Sequence, residues 1–179
     1  DTLLRSDLPA AERRSAIAGL LSAYGQRRRG VEQRLVIKLD AWNIAELPLL
    51  RECFAQTPWI FLSRDPLEIA VSHARRPGMH MVPGMIGASG LDDGLPFDGC
   101  EAYIARRLGR LLEMAVAHCR DYEGLAVNYR ELPGAMAGRL AEFFALDAVQ
   151  REQVFAAVGR HAKQPTEVFV GDSQSKRRE

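Results

Sequence analysis

The stretch Trp59-Ile60-Phe61-Leu62-Ser63-Arg64-Asp65-Pro66-Leu67-Glu68 sets the reading of the fold. Its first five residues are apolar on both faces, as expected of a strand in a parallel sheet covered by helices on each side. The next residues start a helix. Asp65 suits the N-cap, Pro66 the first helical position, and Glu68 the far corner of a capping box. A strand therefore turns directly into a helix, with Arg64 at the junction.

Working outward, two further segments read as strands: Arg34 to Leu39 (RLVIKL) and Leu125 to Tyr129 (LAVNY). Helical spacing of apolar residues predicts helices from Pro9 to about Arg28, from Ala45 to Ala55, from Asp98 to Cys119, from Pro133 to Ala145 and from Ala148 to Arg160. Asp98 with Glu101, and Asp147 with Gln150, look like cap pairs. The alternation of helix and strand implies an α/β domain with a parallel sheet. Three strands make a thin sheet for 179 residues, which suggests that a part of the domain is absent. The start at Asp1, a few residues before a helix, gives the same expectation.

Pro77 to Gly99 is of another kind, with six glycines, three prolines and three of the five methionines. It reads as a long flexible loop or lid, and loops of such length in a compact domain tend to be functional or disordered. Its methionines could mould around a hydrophobic acceptor. His73 and His80 lie near or within it, where a lone histidine is ordinarily solvated.

Composition excludes several classes. The formal charge of +1 leaves no basic excess for a nucleic-acid surface, although Arg27-Arg28-Arg29 and Lys176-Arg177-Arg178 are local clusters. No apolar run approaches the roughly 18 residues of a membrane span, and no signal peptide opens the chain. Cys53, Cys100 and Cys119 are odd in number and widely spaced, so neither a disulfide framework nor a zinc site is indicated. The expectation is a cytoplasmic protein with a small-molecule partner, without nucleic acid, membrane or metal; nothing indicates its oligomeric state.

Ligands of doubly wound α/β domains gather at the carboxyl ends of the strands, which points to Asp40, Arg64 and Tyr129. A guanidinium beside a helix N-terminus suits a phosphate. Each residue also has an ordinary reading. Arg64 can pair with Asp65 or Glu68, Tyr129 can be a half-buried packing tyrosine, and Asp40 can cap a helix.

The segment WIFLSRDPLEIAVSH resembles the one with which sulfotransferases bind the 3′-phosphate of their donor, 3′-phosphoadenosine 5′-phosphosulfate. There a strand ends in Arg, passes through an Asn/Asp-Pro turn, and carries Ser eight residues after the Arg. Arg64 and Ser72 hold that spacing. VIKLD occupies the place of the family's Lys-Thr-His loop, with Lys38 matching, Leu39 for the Thr, and Asp40 where the general-base His would stand. LAVNYREL and the helix ending AEFFAL are similar to the family's Tyr-Glu-Asp strand end and leucine-rich helix, placing Tyr129 near the adenine. The likeness runs from about Arg34 to Leu146.

The resemblance implies an incomplete three-layer P-loop-type domain over residues 1–179, with a parallel sheet, helices on both faces and its N-terminal strand-loop-helix lacking. No GxxxxGK[ST] loop precedes Leu3, and the family's Arg-Lys-Gly contact to the 3′-phosphate has no clean counterpart, although Lys163, Lys176, Arg177 and Arg178 are at hand. Without that first loop the central strand is missing, so a gap is expected between the strands at 59–63 and 125–129. The complete enzyme would transfer a sulfuryl group to an acceptor hydroxyl or amine without a metal. Lys38 and Asp40 would be its catalytic residues, and Arg64, Ser72 and Tyr129 would bind the donor; this chain alone is expected to be inactive. A carboxylate base normally titrates near pH 4 and is weak at pH 7 unless burial raises its pKa. The alternatives are a non-catalytic or degenerate nucleotide-binding fragment of that type, and a P-loop nucleotide kinase, for which no Walker lysine or magnesium ligands are visible.

Overall fold

The computed structural model describes Leu4 and residues 7–87, 89–158, 160–161 and 164–168. Helix α1 (Ala10–Tyr24) follows Pro9 and buries Ile17. A short 3-10 turn (Ala41–Glu46) runs into α2 (Leu47–Cys53), whose Pro48 sits in the first turn where its missing N–H is harmless. Leu4, Ile17 and Leu49 form a small core between these helices, flanked by Leu21, Leu50 and Phe54.

The strand expected at 34–39 is not formed: this stretch has no regular secondary structure and is exposed and unpaired among the described residues. Val36 is 86% exposed. β-Branched residues favour an extended backbone, but a strand exists only by its ladder to a neighbour, and here there is none. The run is tethered at its beginning, where the Arg34 guanidinium donates to the carbonyls of Phe144 and Ala145 and Gln150 bonds Gln33.

Strands β1 (Ile60–Ser63) and β2 (Leu125–Asn128) pair in parallel, with Ile60 opposite Leu125 and Ser63 opposite Asn128. The expected gap between them is therefore closed. Between them run α3 (Pro66–Arg75), the irregular segment with a 3-10 turn at Met79–Met81, and α4 (Cys100–Asp121). Helix α4 packs against α3 and against both strands. Its buried stripe of Ile104, Leu108, Leu111 and Ala115 joins Ile44, Leu47, Met81, Ile86 and Leu91 in the main core. The methionine- and glycine-rich segment thus sends three side chains into that core.

One helix start and the course of another helix depart from the sequence reading. Gly99, at φ 113°, is the N-cap of α4, and Asp98 accepts from Arg106 Nη1 rather than capping. The helix read from Pro133 to Ala145 breaks at Gly138 into α5 (Gly134–Ala137) and α6 (Arg139–Phe143). Before them, Asn128 and Glu131 form a capping box on a 3-10 turn at Tyr129–Glu131. The box predicted for α7 (Ala148–Val158) is present: Gln150 N donates to Asp147 Oδ1 at 2.8 Å, and Asp147 N to Gln150 Oε1 at 3.1 Å. A hairpin of β3 (Arg160–His161) with antiparallel β4 (Gln164–Val168), not anticipated from sequence, comes after it. The fold is thus mixed helix with a small two-stranded parallel sheet, an α/β arrangement. No helix among the described residues is long and apolar enough to cross a membrane.

Candidate functional site

The parallel pairing of β1 and β2 brings their carboxyl ends side by side, and with them Arg64 and Tyr129. The Arg64 guanidinium lies over the Tyr129 ring, 5.4 Å from its centroid. Asp65 caps α3, its side chain accepting from Leu67 N at 3.0 Å. Glu68, expected to complete the capping box, is 1% exposed, with Oε2 taking Arg64 Nε at 2.6 Å and Oε1 taking Arg130 Nη2 at 3.2 Å. Arg130 also reaches Asp65 Oδ2 at 3.2 Å. Two guanidiniums and two carboxylates form one network, with the Arg64 side chain 22% exposed.

The bond to Glu68 shows which way Arg64 runs: back along α3 rather than off its end. Glu68 and Ser72 are four residues apart, so they stand one above the other on the same helix face. Ser72 is half-buried on that face, about 9 Å along the axis from Pro66 at the usual helical rise. The structure thus brings Arg64 and Tyr129 together, and helix geometry puts Ser72 on the α3 face of Glu68, the partner of Arg64. Sequence reasoning missed Arg130 and the depth of Glu68. An acidic residue four places after an arginine, and a second arginine just past the neighbouring strand end, were the available signals.

Lys38 and Asp40 lie on the exposed run without regular secondary structure. Asp40 precedes the 3-10 turn at Ala41–Glu46 without a side-chain cap bond, while its carbonyl accepts from Asn43 N and Asn43 Nδ2. The structure does bring its charge to bear on His80. Lys163, Lys176, Arg177 and Arg178 lie outside the described residues as side chains.

His80 is the larger surprise. Instead of being solvated it is 8% exposed, with its ring 5.1 Å from that of Trp42 and 5.1 Å, edge-on, from that of His73. Burial, then the charges of His73 and Arg107, push its pKa down to about 4, with Asp40 opposing. His73, whose Nδ1 accepts from Gly78 N at 3.1 Å, is lowered by burial alone. Arg107, 4% exposed on α4, pairs with Asp92 through Nη2 at 2.8 Å and with the Tyr103 hydroxyl through Nε at 2.9 Å. Trp42 Nε1, Asn43 Oδ1, His80 Nδ1 and Arg107 Nη1 are buried with no hydrogen-bond partner among the described residues. No periodicity could have assembled this group, because its members come from three separate segments.

Among the described residues no cluster of His, Cys, Asp and Glu could hold a metal ion. A groove of about 250 Å³ lies elsewhere, between α1 and α2 beside Arg13, Arg14 and Glu52. No family model matches the chain, and no curated protein or solved structure matches it either.

Proposed function

We propose that the chain carries the 3′-phosphate-binding and C-terminal part of a sulfotransferase-type, P-loop-like domain, whose donor is 3′-phosphoadenosine 5′-phosphosulfate and whose acceptor is a small molecule. The observation that supports it most is the meeting of Arg64 and Tyr129 at the adjacent carboxyl ends of two parallel strands, with Arg64 folded along α3 toward the face of Ser72. A 3′-phosphate would take donors from Arg64 and Ser72, and the adenine would lie near Tyr129. Glu68 positions the guanidinium, since a side chain held at Nε has few orientations left. Lys38 would meet charge on the sulfuryl oxygens or departing phosphate, and Asp40 would take the acceptor proton, in a reaction governed by positioning and charge stabilisation.

A second reading is favoured by one observation. Arg64 and Arg130 are matched by Asp65 and Glu68, so the cluster also works as a purely structural ion-pair network in a degenerate domain.

Calorimetry with 3′,5′-bisphosphoadenosine and AMP separates the two. The wild-type protein should bind the bisphosphate much more tightly than AMP. Arg64→Ala should weaken bisphosphate binding by about 30-fold or more, as expected for a partner lost from a charged pair, and leave AMP nearly unchanged. Ser72→Ala should cost less, on the order of 1.5–3 kcal/mol. Salt is held fixed because phosphate contacts are screened. If Arg64→Ala weakens both nucleotides alike, or neither, and only stability falls, the structural network is the correct reading.

A further inference from the structure

The groove between α1 and α2 is bordered by charges of both signs, only half of them matched. Arg13, Arg14, Glu46 and Glu52 all line its volume of about 250 Å³. Arg14 Nη1 pairs with Glu52 Oε2 at 3.0 Å, which leaves Arg13 and Glu46. Both are half-buried, and among the described residues neither has an ion-pair partner. The Arg13 guanidinium has a single acceptor there, the Leu4 carbonyl, which takes Nη1 at 3.3 Å, while its Nε is buried with no hydrogen-bond partner.

Charge and size together narrow what can bind. With two guanidiniums and two carboxylates the groove has no net charge. An anion would gain Arg13 but face Glu46 and Glu52, and a cation would gain Glu46 but face Arg13 and Arg14; like charges brought together are costly. Arg13 and Glu46 do not pair with each other, yet both border one groove, so one small molecule carrying both signs answers both. A carboxylate accepts from a guanidinium, and an ammonium donates to a carboxylate. Ala10, which also lines the groove, opens α1 one turn before Arg13, and the first N–H groups of a helix add to the pull on a carboxylate. The rest of the wall is apolar, with Ala45, Pro48 and Leu49. The volume lies below the roughly 300–1,000 Å³ of sites for drug-sized ligands, so the occupant is smaller than these.

We propose that this groove binds a small zwitterion with an apolar body, an aliphatic α-amino acid, whose carboxylate meets Arg13 and whose ammonium meets Glu46. The Arg14–Glu52 pair engages the other two charges with each other and so removes them as competitors for the ligand. The site shares no residue with Arg64, Ser72 or Tyr129, and it does not depend on the sulfuryl-transfer reading.

Three probes of one shape test it: L-leucine, isocaproate, which lacks the ammonium, and isoamylamine, which lacks the carboxylate. In the 15N-labelled chain at pH 7 and fixed salt, millimolar L-leucine should move the backbone amide signals of Ala10, Arg13, Glu46 and Leu49 saturably. Isocaproate and isoamylamine should each bind about tenfold more weakly or worse, as expected when a charged hydrogen bond is lost. Arg13→Gln and Glu46→Gln should each weaken leucine by about tenfold or more for the same reason. Glu46→Gln should also bring leucine down to the level of isocaproate, since the ammonium then has no carboxylate to meet. The three probes on the wild-type chain decide the matter if a variant does not fold. No saturable shift, equal binding of the three probes, a preference for isocaproate or isoamylamine, or leucine binding indifferent to both substitutions overturns the proposal.

Discussion

His80 sits between opposing charges, with His73 and Arg107 on one side of the balance and Asp40 on the other, and burial outweighs them all. Its folded pKa, about 4, lies below the ordinary value of 6.5, so on acidification the unfolded chain takes up the proton first. That fixes the sign. The contribution is fully present above pH 6.5 and is lost as the pH falls through 4, amounting to at most about 3 kcal/mol. His73, lowered in the same direction, adds to the slope. Urea denaturation at several pH values between 7.5 and 4 should show wild type losing more stability than His80→Gln, which cannot titrate there. Parallel pH profiles for the two proteins would mean that His80 is solvated. The sequence could not show this burial, because Met81, Ile86 and Leu91, which carry the segment into the core, obey no helical or strand period. Arg64 and Tyr129 are legible because a strand end fixes where a side chain begins. Where it points is legible only as alternatives: the sequence offers Glu68 both as a cap and as a partner of Arg64, and the structure makes it the ion-pair partner.

At the scale of elements, α1, α3, α4 and the strands β1 and β2 are legible in patterns that residues within each segment create alone, whereas the direct pairing of β1 with β2, where a gap was expected, is not. Errors arise where a neighbour decides. Cap choice at α4 goes to Gly99 because Arg106 draws Asp98 away, and the 34–39 run has strand composition without a strand. The turn from α4 into β2 shows how tightly such a junction can be set. A Cβ on Gly124 would fall 2.1 Å from Trp59 Cζ2, and the Trp59 ring is pinned by its bond to the Tyr122 carbonyl. The clash is with a ring and not with the end of a flexible chain. Gly124→Ala should therefore destabilise the fold by about 1–3 kcal/mol or more, as overpacking does. In a Trp59→Leu background the same change should cost clearly less, since the obstructing ring is gone. Equal costs in the two backgrounds would show that Gly124 matters for its backbone and not for the room it leaves.

For the whole molecule, the unusual feature is how little sheet there is. Parallel strands are ordinarily covered on both faces and flanked by further strands, whereas among the described residues β1 and β2 pair only with each other and Leu62 is 49% exposed. The apolar run Leu35, Val36, Ile37 and Leu39 is exposed as well, each residue by 41% or more. An exposed apolar run of this kind invites association with other chains. Val36 offers the test, because two pictures of the molecule place it in opposite surroundings. As an exposed residue it tolerates a charge, so Val36→Lys should change the free energy of unfolding by no more than about 0.5 kcal/mol. The same change should reduce concentration-dependent association in sedimentation velocity. As the middle of a buried strand of the sheet, Val36 could not accept an ammonium group without a loss of several kcal/mol. Urea titration of Val36→Lys beside wild type tells the two apart: a large loss of stability would restore 34–39 as a paired strand, and with it the third strand of the sheet.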